Sequence, residues 1–297
     1  MRVGVETGMM TIRSLLSDVG LPRPLIMGIL NATPDSFSND GLLSPPELIE
    51  KGIAFIRAGA DILDVGGESS RPYAEPVSET EEVRRVIPVI AGLRTQVSIP
   101  ISIDTCKPGT AREAIRAGAN VINDISGFSQ PDMLELAAAS RTELILMHMQ
   151  GTPLTMQVDP SYNDVVGDIV SFFKDRIRSA ECDYGISRDR IILDPGIGFG
   201  KKLEQNISIF KEFHRIRALN MPTLIGPSRK SFIGQILDAP VNDRLEGTLA
   251  AVSAATILGI DIVRVHDVES VARFRTVFSA LDPMKFSEKV FHADRSV

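Results

Sequence analysis

Polar side chains stand at the ends of apolar runs along this chain, and their types are the first guide to its chemistry: Asn31, Glu68, Asp104, Asn123, His148, Asp194, Ser228, Arg264 and His266. Asp104, Asn123 and Asp194 each close an aliphatic run, in ISID, VIN and IILD. A carboxylate, an amide and a second carboxylate at similar depth offer two chemistries. They could ligate a metal, but two carboxylates without a pair of strand-end histidines on adjacent strands make a poor zinc site. They could also hydrogen-bond a planar heterocycle with an amino-pyrimidinone edge, whose donors suit a carboxylate and whose mixed edge suits an amide. A missing partner there leaves a buried group unpaired at about 1–3 kcal/mol, so such a site selects by its polar edges. Any one of these residues alone also serves as a helix cap or turn closer. Convergence on one rim is what separates the two readings.

A second group is basic: Arg71, Arg229, Lys230 and Arg264, with His266 beside them. Arginine can chelate phosphate oxygens with two donors, and serine or backbone N–H groups can add more. Arg229 reads equally well as surface charge. Arg264 does not, because it interrupts the strand-like run Ile262-Val263-Arg264-Val265 and must face a barrel interior or mouth. His148, between Met147 and Met149, fits a core histidine, while His214 and His292 fit solvent-facing positions without a role.

The elements that must position these groups repeat. Eight strand-like runs occur at residues 25–31, 62–68, 101–105, 121–126, 144–149, 191–196, 223–228 and 262–267. Helical patterns lie between and after them at 44–58, in a second capped segment from Ser78, and at 108–117, 132–139, 162–182, 203–219, 244–258 and 268–280. Ser44 with Glu47 and Ser78 with Glu81 have capping-box spacing. Eight strands alternating with eight helices predict an α/β fold, a single (β/α)8 TIM barrel over residues 24–283. Residues 1–23 form a short N-terminal extension and 284–297 a tail. A doubly wound open sheet is the alternative, but no dinucleotide-type glycine fingerprint follows the first strand. In a barrel the strand ends share one working face, the C-terminal rim.

The totals set limits on partners. A formal net charge of −6 argues against a nucleic acid bound through a basic face, so any anion site must be local. Two cysteines, Cys106 and Cys182, in unlike surroundings suggest neither a disulfide framework nor a cysteine zinc site, and fit a reducing cytoplasm. Neither a signal-peptide pattern nor a membrane-length apolar run is present.

Eight blocks then stand in order: MGILNATPDSFS, DVGGESSRP, SIDTCKP, NDISG, HMQGTPLTMQ, DPGIGFGK, GPSRKSF and RVHDV. With them the chain resembles the dihydropteroate synthases, from the first strand to the last helix. The resemblance implies a transferase of folate biosynthesis, condensing 6-hydroxymethyl-7,8-dihydropterin diphosphate with 4-aminobenzoate to 7,8-dihydropteroate and pyrophosphate. It implies a pterin pocket of Asp104, Asn123, Asp194 and Lys230, with Ile125 and Met149 against the ring. It implies a diphosphate site of Asn31, Arg71, Arg264 and His266, with Mg2+ as cofactor and Asn31 as its protein ligand. Aminobenzoate is expected near Ser70, Phe199, Lys230 and Ser231. Asp104, Asp194, Lys230, Arg264 and His266 carry the catalytic roles, Asp104 and Asp194 facing the cation-like pterin and Arg264 and His266 the leaving pyrophosphate.

Two loops depart from the family pattern. DSFSDGG reads DSFSNDG here, which changes Asn39 and Asp40, and GESTRPG reads GESSRPY, which changes Ser70 and Tyr73. Residues 33–43 are expected to cover the pterin as a lid. A methyltransferase acting on a methylated tetrahydrofolate shares the Asp, Asn and Asp positions but needs no diphosphate clamp, and a pterin-holding binding module is the reading from another class. The apolar circumference of LEGTLAAVSAATILGID predicts a homodimer through the seventh helical segment.

Overall fold

A computed structural model describes residues 9–33 and 44–281. Most of the expected lid, with Asn39 and Asp40, lies outside the described residues, as do His292 and the tail 284–297. The elements in chain order are α1 (Ile12–Ser17), β1 (Leu25–Asn31), α2 (Pro45–Ala58), β2 (Ile62–Gly66), α3 (Glu79–Arg94), β3 (Ile101–Asp104), α4 (Pro108–Arg116), β4 (Val121–Asp124), α5 (Pro131–Ser140) and β5 (Glu143–Met147). They continue with α6 (Val165–Tyr184), β6 (Ile191–Asp194), α7 (Leu203–Lys211), α8 (Phe213–Arg217), β7 (Leu224–Ile225), α9 (Ser231–Leu237), α10 (Leu245–Ile257), β8 (Ile262–Val265) and α11 (Val268–Leu281).

All strand pairs are parallel, in the order β6-β5-β4-β3-β2-β1-β8-β7. A bridge between Leu193 and Thr223 nearly closes the ring, supported by the Leu193 N–H donating to the Pro222 carbonyl at 2.9 Å. The (β/α)8 plan is therefore present, with two differences from the expected helices. The segment 203–219 is two helices, α7 and α8, meeting at Glu212. A short α9 follows β7, and its Phe232 and Ile233 are buried in the hydrophobic core between barrel and helices.

Strand alternation explains the layering, since successive side chains point to opposite faces. Leu63, Val65, Ile101, Ile103, Ile122, Leu144, Leu146 and Leu193 face outward into the helix layer. Leu25, Met27, Ile62, Val121, Ile145, Ile192, Leu224 and Ile262 face inward as an apolar lower layer. Ile12 joins that layer and is fully buried, with Leu15, Leu16 and Leu21 packed around it, so the leading segment plugs the N-terminal end of the barrel. Truncating a buried isoleucine to alanine costs about 2–5 kcal/mol, enough to make this plug part of the core. Its start is held by Glu143 on β5, whose carboxylate accepts the N–H groups of Ile12 at 2.6 Å and Arg13 at 2.8 Å.

The chain ends of the barrel are joined by Arg275 of α11. It pairs with Asp61 Oδ2 at 2.6 Å and donates to the Pro24 and Gly59 carbonyls. Capping follows the sequence pattern at Ser44 with Glu47, and Gly59 and Gly185 end α2 and α6 in the left-handed region. Both cysteines are free thiols, and no described helix is long and apolar enough to cross a membrane.

Candidate active site

Above the apolar layer the inward positions become polar. Asp64 on β2, Ser102 and Asp104 on β3, Asn123 on β4, Asp194 on β6 and Arg264 on β8 follow the same alternation as the residues below them. Arg264 reaches across the barrel. Its Nε donates to Asp64 Oδ2 and its Nη2 to Asp104 Oδ2, both at 2.6 Å. Asn123 Nδ2 donates to the same Asp64 oxygen at 3.3 Å, which leaves Asp64 Oδ1 and Ser102 Oγ buried without a hydrogen-bond partner. Asp64 is fully buried, so Arg264 is what neutralises it.

The charges respond to this setting. Burial pushes Asp104 up to about 7, with the Arg264 guanidinium opposing. Burial pushes Asp194 up to about 6, opposed by the Gly196 N–H on its Oδ1 at 2.8 Å and by Lys230 and Arg264. Lys230 is brought down to about 8 by burial and the nearby Arg264, and its Nζ lies 3.9 Å from the Phe199 ring centroid. Burial works against the charge of Arg264, but Asp64 and Asp104 outweigh it and raise its pKa. His266 is brought down to about 3 by burial, then by Arg264 and Arg229, so its imidazole is neutral at pH 7. Its Nδ1 lies 3.1 Å from Ser228 Oγ. Counted with the cations in the sequence, His266 is a neutral hydrogen-bonding group in the fold.

A cavity of about 380 Å³ opens at this rim. Asn31, Ser70, Arg71, Asp104, Phe199, Lys230, Ser231, Arg264 and His266 all line it. Asn123, Ile125, Met149 and Asp194 do not. Asn123 and Asp194 are buried in the adjoining polar layer, and Ile125 and Met149 belong to a small apolar cluster with Met147, Met156 and Phe199. Arg229, open to two readings in sequence, lines the cavity and is ion-paired with Asp267. His148 is a core residue, its ring edge-on to Phe172 at 5.1 Å, and His214 is exposed.

Three functional positions escaped the strand-end reading. Asp64 lies inside a strand rather than at its end; as with Arg264, a charged residue within an aliphatic run was the available signal. Met156 lines the cavity from the loop after β5, where nothing in its type distinguishes it from core. Lys201 is 3% exposed, and its Nζ donates to the carbonyls of His148 at 3.2 Å, Gly196 at 3.0 Å and Phe199 at 2.9 Å. It ties the end of β5 to the loop after β6. A lysine following a glycine-rich run carries no sequence sign of burial.

Tyr73 adopts φ 64° with its ring exposed, and its N–H donates to the Pro153 carbonyl at 3.1 Å. The backbone there is left-handed, which suits glycine and strains tyrosine. Among the described residues no three His, Cys, Asp or Glu side chains gather as a metal cage.

The arrangement combines a polar-edged pocket with a cationic flank, suited to a flat heterocycle carrying an anionic group. Comparison with known proteins agrees. A family model described as pterin binding enzyme matches residues 27–266. The chain is 48% identical over 262 residues to the dihydropteroate synthase of Synechocystis sp., covering 87% of this chain and 90% of that one. It superposes on the Yersinia pestis dihydropteroate synthase in a sulfonamide drug complex with a TM-score of 0.84, at 40% identity, covering 88% and 95% of the two chains. The Xanthomonas albilineans dihydropteroate synthase with 4-aminobenzoic acid gives 0.81 at 41% identity, covering 88% and 93%.

Proposed function

Because this chain belongs to the pterin-binding enzyme family, and within it to the dihydropteroate synthases, we propose that its cavity divides the work of that reaction between a ring-reading half and an anion-holding half. The enzyme condenses 6-hydroxymethyl-7,8-dihydropterin diphosphate with 4-aminobenzoate, releasing pyrophosphate, in folate biosynthesis. The observation that carries the division is the Asp64–Arg264–Asp104 bridge, where the pocket carboxylates meet the cation of the opposite flank.

In the ring half, Asp104, Asn123 and Asp194 accept and donate along the pterin edge, Lys230 adds a donor, and Ile125 and Met149 pack its faces. In the anion half, Asn31, Arg71, Arg264 and neutral His266 hold the diphosphate. Ser70, Phe199, Lys230 and Ser231 receive aminobenzoate, with the Phe199 ring as a stacking surface. Arg264 Nη2 donates to Asp104 Oδ2 across the pocket. Substrate entry shifts that donor to a phosphate oxygen while Nε keeps Asp64, which releases Asp104 for the pterin.

As the methylene carbon–oxygen bond breaks, positive charge grows on the pterin and negative charge on the leaving group. Asp104 and Asp194 stabilise the first and Arg264 the second, in a site where burial strengthens both. The neutral amine then attacks the methylene, so no side-chain nucleophile is required. The amide oxygen of Asn31 at the cavity rim suits Mg2+, a cation that keeps most of its waters and takes few protein ligands beside phosphate oxygens. Asn31 would hold it, and bound there it would neutralise charge developing on the diphosphate.

A homodimer is supported by the exposed apolar side chains of Ile257 on α10, Val277 and Leu281 on α11, and Ile236 and Leu237 on α9. A monomeric mass in light scattering at micromolar concentration would exclude it. Two free thiols support a cytoplasmic location. The function is tested by mixing both substrates with Mg2+. Equal amounts of pyrophosphate and dihydropteroate are expected, and methyl transfer from a methylated tetrahydrofolate without pyrophosphate would reject it.

A further inference from the structure

One partly buried ionic cluster touches the cavity wall without any role assigned above. Lys107, the residue preceding α4, places its Nζ 2.5 Å from Glu68 Oε2 and 2.9 Å from Glu82 Oε2. Glu82 on α3 is 1% exposed and also accepts the Thr110 hydroxyl at 3.1 Å. The same Glu68 oxygen accepts the Val77 N–H at 2.9 Å. Glu68 and Val77 are the two ends of the loop from β2 to α3, and between them lie Ser70 and Arg71 on the cavity wall. The Glu68 carboxylate thus closes the loop on Val77, and the Lys107 ammonium anchors that carboxylate to Glu82 inside the helix layer. It also covers a negative charge, because Glu68 itself lines the cavity.

We infer that Lys107 is a positioning residue for the anion half. It holds the loop bearing Ser70 and Arg71 in place and masks the Glu68 carboxylate from two substrates that are both anions. The inference rests on the synthase reading above.

Replacing Lys107 by methionine bares the Glu68 charge beside the incoming anions. For Lys107→Met, KM for both substrates is expected to rise about tenfold while kcat holds within about twofold. The rise should shrink as salt screens the repulsion. The double variant Glu68→Gln/Lys107→Met removes the bared charge and should recover most of the loss in KM, whereas a purely structural role would make the double variant no better. If Lys107→Met fails to fold because Glu82 is stranded, the same comparison is made in a Glu82→Gln background. A KM that is unchanged, insensitive to salt or unrelieved by Glu68→Gln overturns the assignment. A wild-type protein that forms no dihydropteroate overturns the synthase reading itself, so the two failures are distinguishable.

Discussion

Arg264→Met is the most informative single perturbation of this site. The Arg264 side chain is 17% exposed, Asp64 0% and Asp104 13%, so its loss strands two carboxylates in the barrel interior. Removing one partner of a buried ion pair costs about 3–5 kcal/mol. For a domain of this size each kcal/mol lowers Tm by about 2–4 °C, which gives a fall of about 6–20 °C. The deficit has a sign in pH. Asp104 already sits at about 7 with Arg264 present, and loss of the cation raises it further. A carboxyl whose folded pKa is raised contributes stability that is full below its unfolded pKa near 4 and lost as pH rises toward the folded value. The variant's deficit is therefore larger at about pH 7.5 than at about pH 5. Asp64→Asn in the same chain removes one stranded charge and should restore part of the loss. Urea denaturation of the three proteins at both pH values measures this. In parallel, kcat for pyrophosphate release should fall about 100- to 1,000-fold, the usual loss when one donor to developing negative charge is removed. A deficit below about 1 kcal/mol, or one that neither varies with pH nor is relieved by Asp64→Asn, would refute the bridge as a buried pair. An unchanged kcat with only weaker binding would refute the leaving-group role.

Other outcomes follow from the same geometry. The rate at limiting substrate should fall as pH drops through about 7 to about 6, because Asp104 and Asp194 protonate there. Their contribution to stability runs the opposite way, full below about pH 4 and lost as pH rises to about 6 for Asp194 and about 7 for Asp104; a flat profile in both assays would count against buried carboxylates as the working groups. Lys201→Met should destabilise the fold by about 1–3 kcal/mol by freeing three buried carbonyls, and should raise KM for aminobenzoate by displacing Phe199. Wild-type values in both would show that the lysine is dispensable. Tyr73→Gly should raise stability by up to about 1 kcal/mol, since relief of a left-handed tyrosine exceeds the entropy cost of glycine. A lower urea midpoint would contradict this.

The barrel was legible because parallel strands buried on both faces read as aliphatic runs, and eight of them recur with capped helices between. The polar trio was legible for the same reason, as Asp104, Asn123 and Asp194 stand where those runs stop. What escaped was burial without a break in pattern. Asp64 sits one alternation below the rim, and a search of strand ends passes over it. Lys201 is held by backbone carbonyls, which have no residue type to announce them. The plug at Ile12 has a helical spacing with Leu15 and Leu16, but the layer it joins is drawn from β1, β2, β4, β5, β6, β7 and β8, spread along the chain. His266 changed character because its charge depends on packing against Arg264 and Arg229, a tertiary property.

The division of the cavity into two halves is tested most directly by calorimetric titration of two fragments, 6-hydroxymethyl-7,8-dihydropterin without phosphate and pyrophosphate with Mg2+, onto wild type, Asp194→Asn and Arg71→Met. Asp194→Asn should lose about 1–3 kcal/mol of pterin affinity and keep pyrophosphate binding. Arg71→Met should lose pyrophosphate affinity and keep the pterin. Equal weakening of both fragments by either substitution would contradict the account.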